Sequence, residues 1–349
     1  MVRRLLQTTL VIAFCAPALA CSESSDSPTD SAEQVVASAQ PGGAGSNGMG
    51  AAGASSSAVG MGSGGTTGAV TDLFPPSDRT VHPSAGCNGN ASPAVGGQTL
   101  MSGGQLGNYL ITVPTGTSPY DGNTPRALAF VFHGANNDEI ACRGGGNCPG
   151  VQASMESKAI TVYPKSFGTS WTDATRDQNV TWFDDLLSFV KTNYCVDEQN
   201  VFAMGTSSGA HFSNILGCRR GDVLRAIAPG AGERLETTGC RGEVAALVIH
   251  GVDDTSVPFP LGEAARDYYA MANGCSTETV PPIAEVHAEV RAARDAMTNP
   301  GIFRCTDYQG CREGLSVRWC EHGEGGYNGT THGYPVEGGG ETWDFVSGL

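Results

Sequence analysis

The pentapeptide Gly205-Thr206-Ser207-Ser208-Gly209 follows the apolar run Val201 to Met204 and leads into a helix-compatible segment, Ser208 to Cys218. No other feature constrains the chain as much. G-x-S-x-G between a strand and a helix describes a sharp turn that holds a serine above the end of a sheet, with glycines that let strand and helix approach each other. The competing interpretation is a plain Gly-Ser turn, which a chain with 49 glycines can supply by chance. The rest of the sequence has to separate the two.

The surrounding elements favour the strand-turn-helix. Asn108 to Val113 alternates as a strand does, and Ala127 to Phe132 is a continuous apolar run ending in His133-Gly134. Ala159 to Tyr163 is another short run, stopped by Pro164. Phe183, Leu186, Leu187 and Val190 recur at i, i+3, i+4 and i+7, which marks a helix face within Val180 to Val190. Asn200 to Met204, Arg225 to Ala228, Val244 to Ile249 and Leu315 to Trp319 read as strands, and Pro260 to Ala272 and Glu341 to Val346 as helices. Such alternation predicts an α/β fold: a mostly parallel central sheet with helices on both faces.

A serine hydroxyl is a poor nucleophile without a base. In strand-turn-helix enzymes of this kind the chain order is Ser, acid, His. His82 and His133 precede Ser207, and His211 is one helical turn beyond it and is expected to pack there. His250 ends a strand and His287 lies in a charged stretch, which leaves His322 and His332. The acid is expected on the loop after Val244 to Ile249, where both Asp253 and Asp254 qualify by position. An oxyanion hole needs two backbone N–H groups. Ser208 supplies one, and Ala135, in the loop His133-Gly134-Ala135-Asn136, is the choice for the other. His133 there is expected to fix the loop. Trp171 and Trp182 are candidates to wall a substrate pocket, with burial in the core as the competing fate.

The start of the chain reads as an export signal over residues 1–20: Arg3 and Arg4, a short apolar stretch, then Ala18-Leu19-Ala20 before Cys21. Cys21 invites two endings, ordinary cleavage or lipidation in a bacterial lipoprotein, and the lipoprotein is favoured because the stretch behind it suits a tether. Residues 21–77 are polar, then almost entirely Gly, Ala, Ser, Met and Thr, a composition that cannot offset its ordering entropy. Residues 78–349 remain for a single domain. Ten of the 12 cysteines fall there, an even number that in an exported chain predicts up to five disulfides. Cys142 and Cys148 are placed to close a small loop, and Cys275, Cys305, Cys311 and Cys320 to staple the long segment before the last strand. No C-x2-C pair suggests zinc. A formal charge of −15 without a basic run argues against nucleic acid as a partner.

Several segments together resemble a known group: Phe132-His133-Gly134-Ala135, Val162-Tyr163-Pro164, Val196 to Phe202, Gly205 to Ala210, Ala226 to Gly232, and His250 to Pro258. From about Asn108 to the C-terminus the chain is similar to the secreted feruloyl esterases and polyhydroxybutyrate depolymerase-like esterases of the α/β-hydrolase superfamily. The resemblance implies an α/β-hydrolase fold and a serine esterase that needs no cofactor and no metal. The group's H-G-x-x-D-x-x-V-P pattern puts the acid on Asp254. Its catalytic histidine, which precedes an aromatic residue and a proline, falls on His332 in His332-Gly333-Tyr334-Pro335. Thr331 stands where glycine is common, and Gly333 separates the histidine from the aromatic residue. Cys305 to Cys320 resembles the cysteine-bearing strand of feruloyl esterases.

Position within the chain supports the same histidine. His322 lies between Glu321 and Glu324 and close behind a cysteine, so a charged surface site is expected for it. His332 follows the glycine-rich stretch Gly323 to Thr331, which can carry it over the sheet. The substrate expectation is a feruloyl or acetyl ester of plant polysaccharide, reached from the cell surface through a lipid anchor at Cys21. A polyhydroxyalkanoate (polyester) depolymerase is the alternative substrate reading. A catalytically inactive surface-binding protein on a hydrolase fold is the alternative of another class.

Overall fold

The computed structural model of the protein describes residues 80–349, apart from 146, 298–300 and 325–330. The expected signal, Cys21, the expected tether and the boundary at residue 78 lie outside the described residues.

In chain order the elements are β1 (Gly96–Ser102), β2 (Gln105–Thr112), β3 (Arg126–Phe132), α1 (Glu139–Arg143), α2 (Gln152–Met155), β4 (Ile160–Pro164), α3 (Arg176–Asn193), β5 (Val196–Thr206), α4 (Ser208–Arg219), β6 (Ala226–Gly230), β7 (Ala245–Gly251), α5 (Phe259–Ala272), β8 (Thr279–Val280), α6 (Ile283–Asp295), β9 (Phe303–Tyr308), β10 (Val317–His322) and α7 (Gly338–Ser347). The strands form one sheet in the order β1-β2-β4-β3-β5-β6-β7-β10-β9-β8. From β4 through β10 neighbouring strands run parallel. Antiparallel strands close both edges.

Both sides of the parallel strands are buried, and their side chains alternate between two cores. Leu128, Phe130 and Phe132 of β3, Ala203 of β5, Ile227 of β6 and Val248 of β7 face α3, α4 and α5. Ala129, Val131, Met204, Ala228 and Leu247 face the other way, toward α1, α2 and α7. The helix face read from the sequence is the one buried: Phe183, Leu186, Leu187 and Val190 lie under α3. The sheet is thus the α/β arrangement with helices on both faces that the alternation predicts.

All ten cysteines of the described domain are paired: Cys87–Cys195, Cys142–Cys148, Cys218–Cys240, Cys275–Cys311 and Cys305–Cys320. The last two pairs staple the segment that adds β8, α6 and β9 before β10.

Candidate active site

In an open parallel sheet, functional groups gather where the strands end, because the connecting loops converge there. Ser207 stands at the end of β5 with φ 55° and ψ −119°, a conformation that costs a non-glycine residue on the order of 1–3 kcal/mol. The turn is held by its neighbours. The Ser207 amide donates to the Gly230 carbonyl at 3.0 Å, and the His211 amide donates to the Ser207 carbonyl at 2.9 Å. The two motif glycines are required by close approach. A Cβ on Gly205 would lie 2.5 Å from the Gly209 carbonyl carbon, and one on Gly209 would lie 2.2 Å from the Phe132 carbonyl oxygen.

Asp254 follows β7 and is buried. One carboxylate oxygen accepts from the amides of Ser256 and Val257, each at 2.9 Å. The other accepts from His332 Nδ1 at 2.8 Å. Burial would raise the Asp254 pKa, but the bonds from His332 and Val257 outweigh it, so the carboxyl lies below its ordinary value and stays ionised. Asp253 is engaged elsewhere: its carboxylate takes Arg291 at 2.5 Å and Arg294 at 3.0 Å, both from α6.

The segment around His332 is fixed at both ends of the histidine. Before it, the Thr331 carbonyl rests on Gly251, where a Cβ would come within 2.0 Å of the oxygen. After it, the Tyr334 ring covers Gly230, where a Cβ would come within 2.2 Å of the ring. Gly230 is the residue whose carbonyl holds the Ser207 amide. His332 is therefore carried over the ends of β6 and β7, beside the turn that bears Ser207. The structure bonds His332 to Asp254, 78 residues away in the chain, and seats Tyr334 of the same segment on Gly230, which holds the Ser207 amide.

Ser208 opens α4, and the amide of a first helical residue has no partner within its own helix. In the facing loop, the Gly134 amide is taken by the Asn147 carbonyl at 2.9 Å and the Asn136 amide by the Thr169 carbonyl at 2.7 Å. The Ala135 amide between them makes no bond to the described residues, and Ala135 is exposed. His133 fixes this loop. Its Nδ1 donates to the Gly134 carbonyl at 2.7 Å, and its Nε2 accepts from the Ser166 amide at 3.2 Å. Burial lowers its pKa, so the ring is neutral.

One open choice is decided here, and one expectation, for His322, needs correction. Trp171 and Trp182 take the core position of the two open to them: both are fully buried and do not wall a pocket. Trp171 is a strut beneath the site: its Nε1 donates to the His133 carbonyl at 2.9 Å, its amide donates to Ser208 Oγ at 2.8 Å, and its ring stacks on Phe212. Trp182 packs on Gly107 and donates to the Lys165 carbonyl at 3.1 Å. His322 is not a charged surface group. It ends β10, pairs in register with Gly251 and Phe303, and is 1% exposed. Burial drives its pKa down to about 4, helped by its neighbour His250.

His211 likewise falls to about 4, through burial and then its neighbours His332 and His250. His250 is buried, gives its Nε2 proton to the Val257 carbonyl at 2.8 Å, and has a lowered pKa for the same reason. These three buried rings are neutral at neutral pH.

A consequence for stability follows. An unfolded histidine binds its proton near the ordinary 6.5, and folded His322 only near 4. Between those values the unfolded chain holds more protons, so stability is full above pH 6.5 and is lost as the pH falls toward 4. One such histidine accounts for about 3 kcal/mol. Melting temperatures are expected to fall across that window, and His322→Leu to flatten the fall. An equally steep fall in the variant would contradict this.

No protein-family model matches the chain. Feruloyl esterase D of Neurospora crassa is 29% identical over 262 residues, which cover 71% of this chain and 83% of that protein. Feruloyl esterase C of Emericella nidulans is 28% identical over 231 residues, covering 63% of this chain and 83% of that protein. Among solved structures, an acetyl xylan esterase from Aspergillus awamori shares the fold with a TM-score of 0.50 at 14% identity, over 72% of this chain and 99% of that one.

Proposed function

We propose that this chain, a homologue of feruloyl esterases, is an exported serine esterase that hydrolyses feruloyl or acetyl esters of plant polysaccharide. The observation that carries the reading is the 2.8 Å bond between Asp254 and His332 beside the strained turn of Ser207. Ser207 is the nucleophile and His332 the general base. His332 Nδ1 carries the proton bonded to Asp254, and Nε2 is the nitrogen that takes the proton from Ser207 Oγ as the oxygen attacks the ester carbonyl. Asp254 holds that tautomer and stabilises the imidazolium. The developing oxyanion is met by the amides of Ser208 and Ala135. The imidazolium then returns its proton to the leaving alcohol, and the reverse sequence with water releases the acid. Every step uses side chains and amides of this chain.

The curated relatives named for feruloyl esters favour that substrate. Rates on methyl ferulate, acetylated xylan and hydroxybutyrate oligomers separate the readings. Turnover of methyl ferulate or acetylated xylan far above the oligomers is expected. Turnover of the oligomers alone would make the enzyme a polyester depolymerase. No turnover of any ester, p-nitrophenyl acetate included, would leave a binding protein on a hydrolase fold.

Five disulfides suit an oxidising compartment. Lipid attachment at Cys21, with residues 22–77 as the tether, is part of this proposal and rests on the sequence alone. Mass spectrometry of the mature N-terminus tests it, and an unmodified Cys21 on protein free in the medium would refute it.

A further inference from the structure

We propose that Thr331 is a positioning residue for the base: its hydroxyl latches the loop that carries His332 to the loop that carries Asp254. The inference rests on His332 acting as the base. Two consecutive residues of one loop bond two consecutive residues of the other. The Asp253 amide donates to Thr331 Oγ1 at 2.8 Å, and His332 Nδ1 donates to Asp254 Oδ2 at 2.8 Å.

The second bond orients the imidazole through its Nδ1. Adding the first fixes the backbone one residue before the ring. Thr331 is fully buried, so water does not compete for its hydroxyl. Its carbonyl lies against Gly251, which sets the height of the loop above β7.

The far side of the latch is anchored as well. Asp253 holds Arg291 and Arg294, so α6 braces the loop that supplies the amide. This gives Asp253, the neighbour of the acid, a purpose of its own. It also gives a reason for threonine at a position where glycine would leave the Asp253 amide without its acceptor. The stretch before it, Gly323 to Thr330, contains four glycines. After the histidine, Tyr334 on Gly230 secures the other end, its hydroxyl 2.7 Å from Thr342 Oγ1.

Catalysis depends on placing the base within a fraction of an ångström, and a misplacement of about 1 Å costs on the order of 100-fold. Thr331→Val keeps the shape and removes the hydroxyl. Thr331→Ser keeps the hydroxyl, and Thr331→Ala loses it at nearly the same volume as serine. The full chain is assayed with p-nitrophenyl acetate, beside wild type and His332→Ala. The valine and alanine variants are expected to lose about 10- to 100-fold in kcat with little change in KM, and the serine variant to stay within about threefold of wild type. The downfield proton resonance of the His332–Asp254 bond is expected to broaden in valine and persist in serine.

Wild-type kcat in both the valine and alanine variants, with His332→Ala inactive, would overturn the latch and leave the base assignment intact. Serine and alanine variants equally impaired would reduce Thr331 to packing and also overturn it. An active His332→Ala would remove the base assignment, and the latch with it.

Discussion

Ser207→Ala is expected to lower kcat by about 10^4-fold or more while leaving melting temperature and disulfide content unchanged. The substitution removes only the hydroxyl. The features that shape the turn are backbone features: the Ser207 amide on Gly230, the His211 amide on Ser207, and the contacts of Gly205 and Gly209 with their neighbours. Alanine meets the same φ of 55° that serine does, so the strain is unchanged. On the proposed mechanism the amides of Ser208 and Ala135 remain with no attacking oxygen beside them, and rate above background is expected only from binding and those two amides. Steady-state kinetics on p-nitrophenyl acetate read the effect. A tenth of wild-type activity in this variant would refute the nucleophile assignment.

His332→Ala is expected to cost about as much, because members of a triad act as a unit. Without the imidazole no group takes the Ser207 proton. His211 and His322 do not substitute for it. Both are held near pKa 4 by burial, so they are weak bases at neutral pH, and His322 sits within β10 beneath the site. The double variant Ser207→Ala/His332→Ala is expected to be scarcely worse than either single one. His322→Ala, by contrast, is expected to lower stability by removing a buried side chain while sparing much of kcat. Collapse of activity in His322→Ala with near-normal activity in His332→Ala would reverse the assignment.

How much of this could be read from the sequence depended on how local each signal is. The apolar runs of β3 to β7 are buried on both faces, so composition alone marks them. The turn at Ser207 carries its own glycines, and the contacts they permit lie within β3, β5 and α4. The choice of Asp254 over Asp253 needed the resemblance, and the structure supplies a physical counterpart: Asp253 points to Arg291 and Arg294. The added segment was less legible. Helix α6 buries only Val286 and Val290, too narrow a stripe to stand out among its charges. Strands β8 and β9 lie at the sheet edge and lack an apolar run.

That segment also explains the misjudged histidine. His322 is flanked by carboxylates in the sequence, but β10 is inserted between β7 and β9, and the sheet buries it. Its neighbour Glu321 is buried too, accepting hydrogen bonds from Trp319 Nε1 and His287 Nδ1, each at 2.7 Å. Charge in the sequence was a poor guide because one compensating donor, His287, comes from another element, α6. Trp171 was ambiguous for a similar reason. Its place as a strut depends on His133 and Ser208, both distant in sequence. The Thr331 latch joins residues 78 apart through one amide, which no periodicity reveals.

The central claim is that Ser207 attacks and His332 activates it. The most direct measurement treats the protein with a serine-directed phosphonate and maps the modified peptide by mass spectrometry. The account predicts one adduct, on Ser207, formed in step with loss of esterase activity and formed far more slowly in His332→Ala. An adduct on another residue, or full inactivation with Ser207 unmodified, would contradict it.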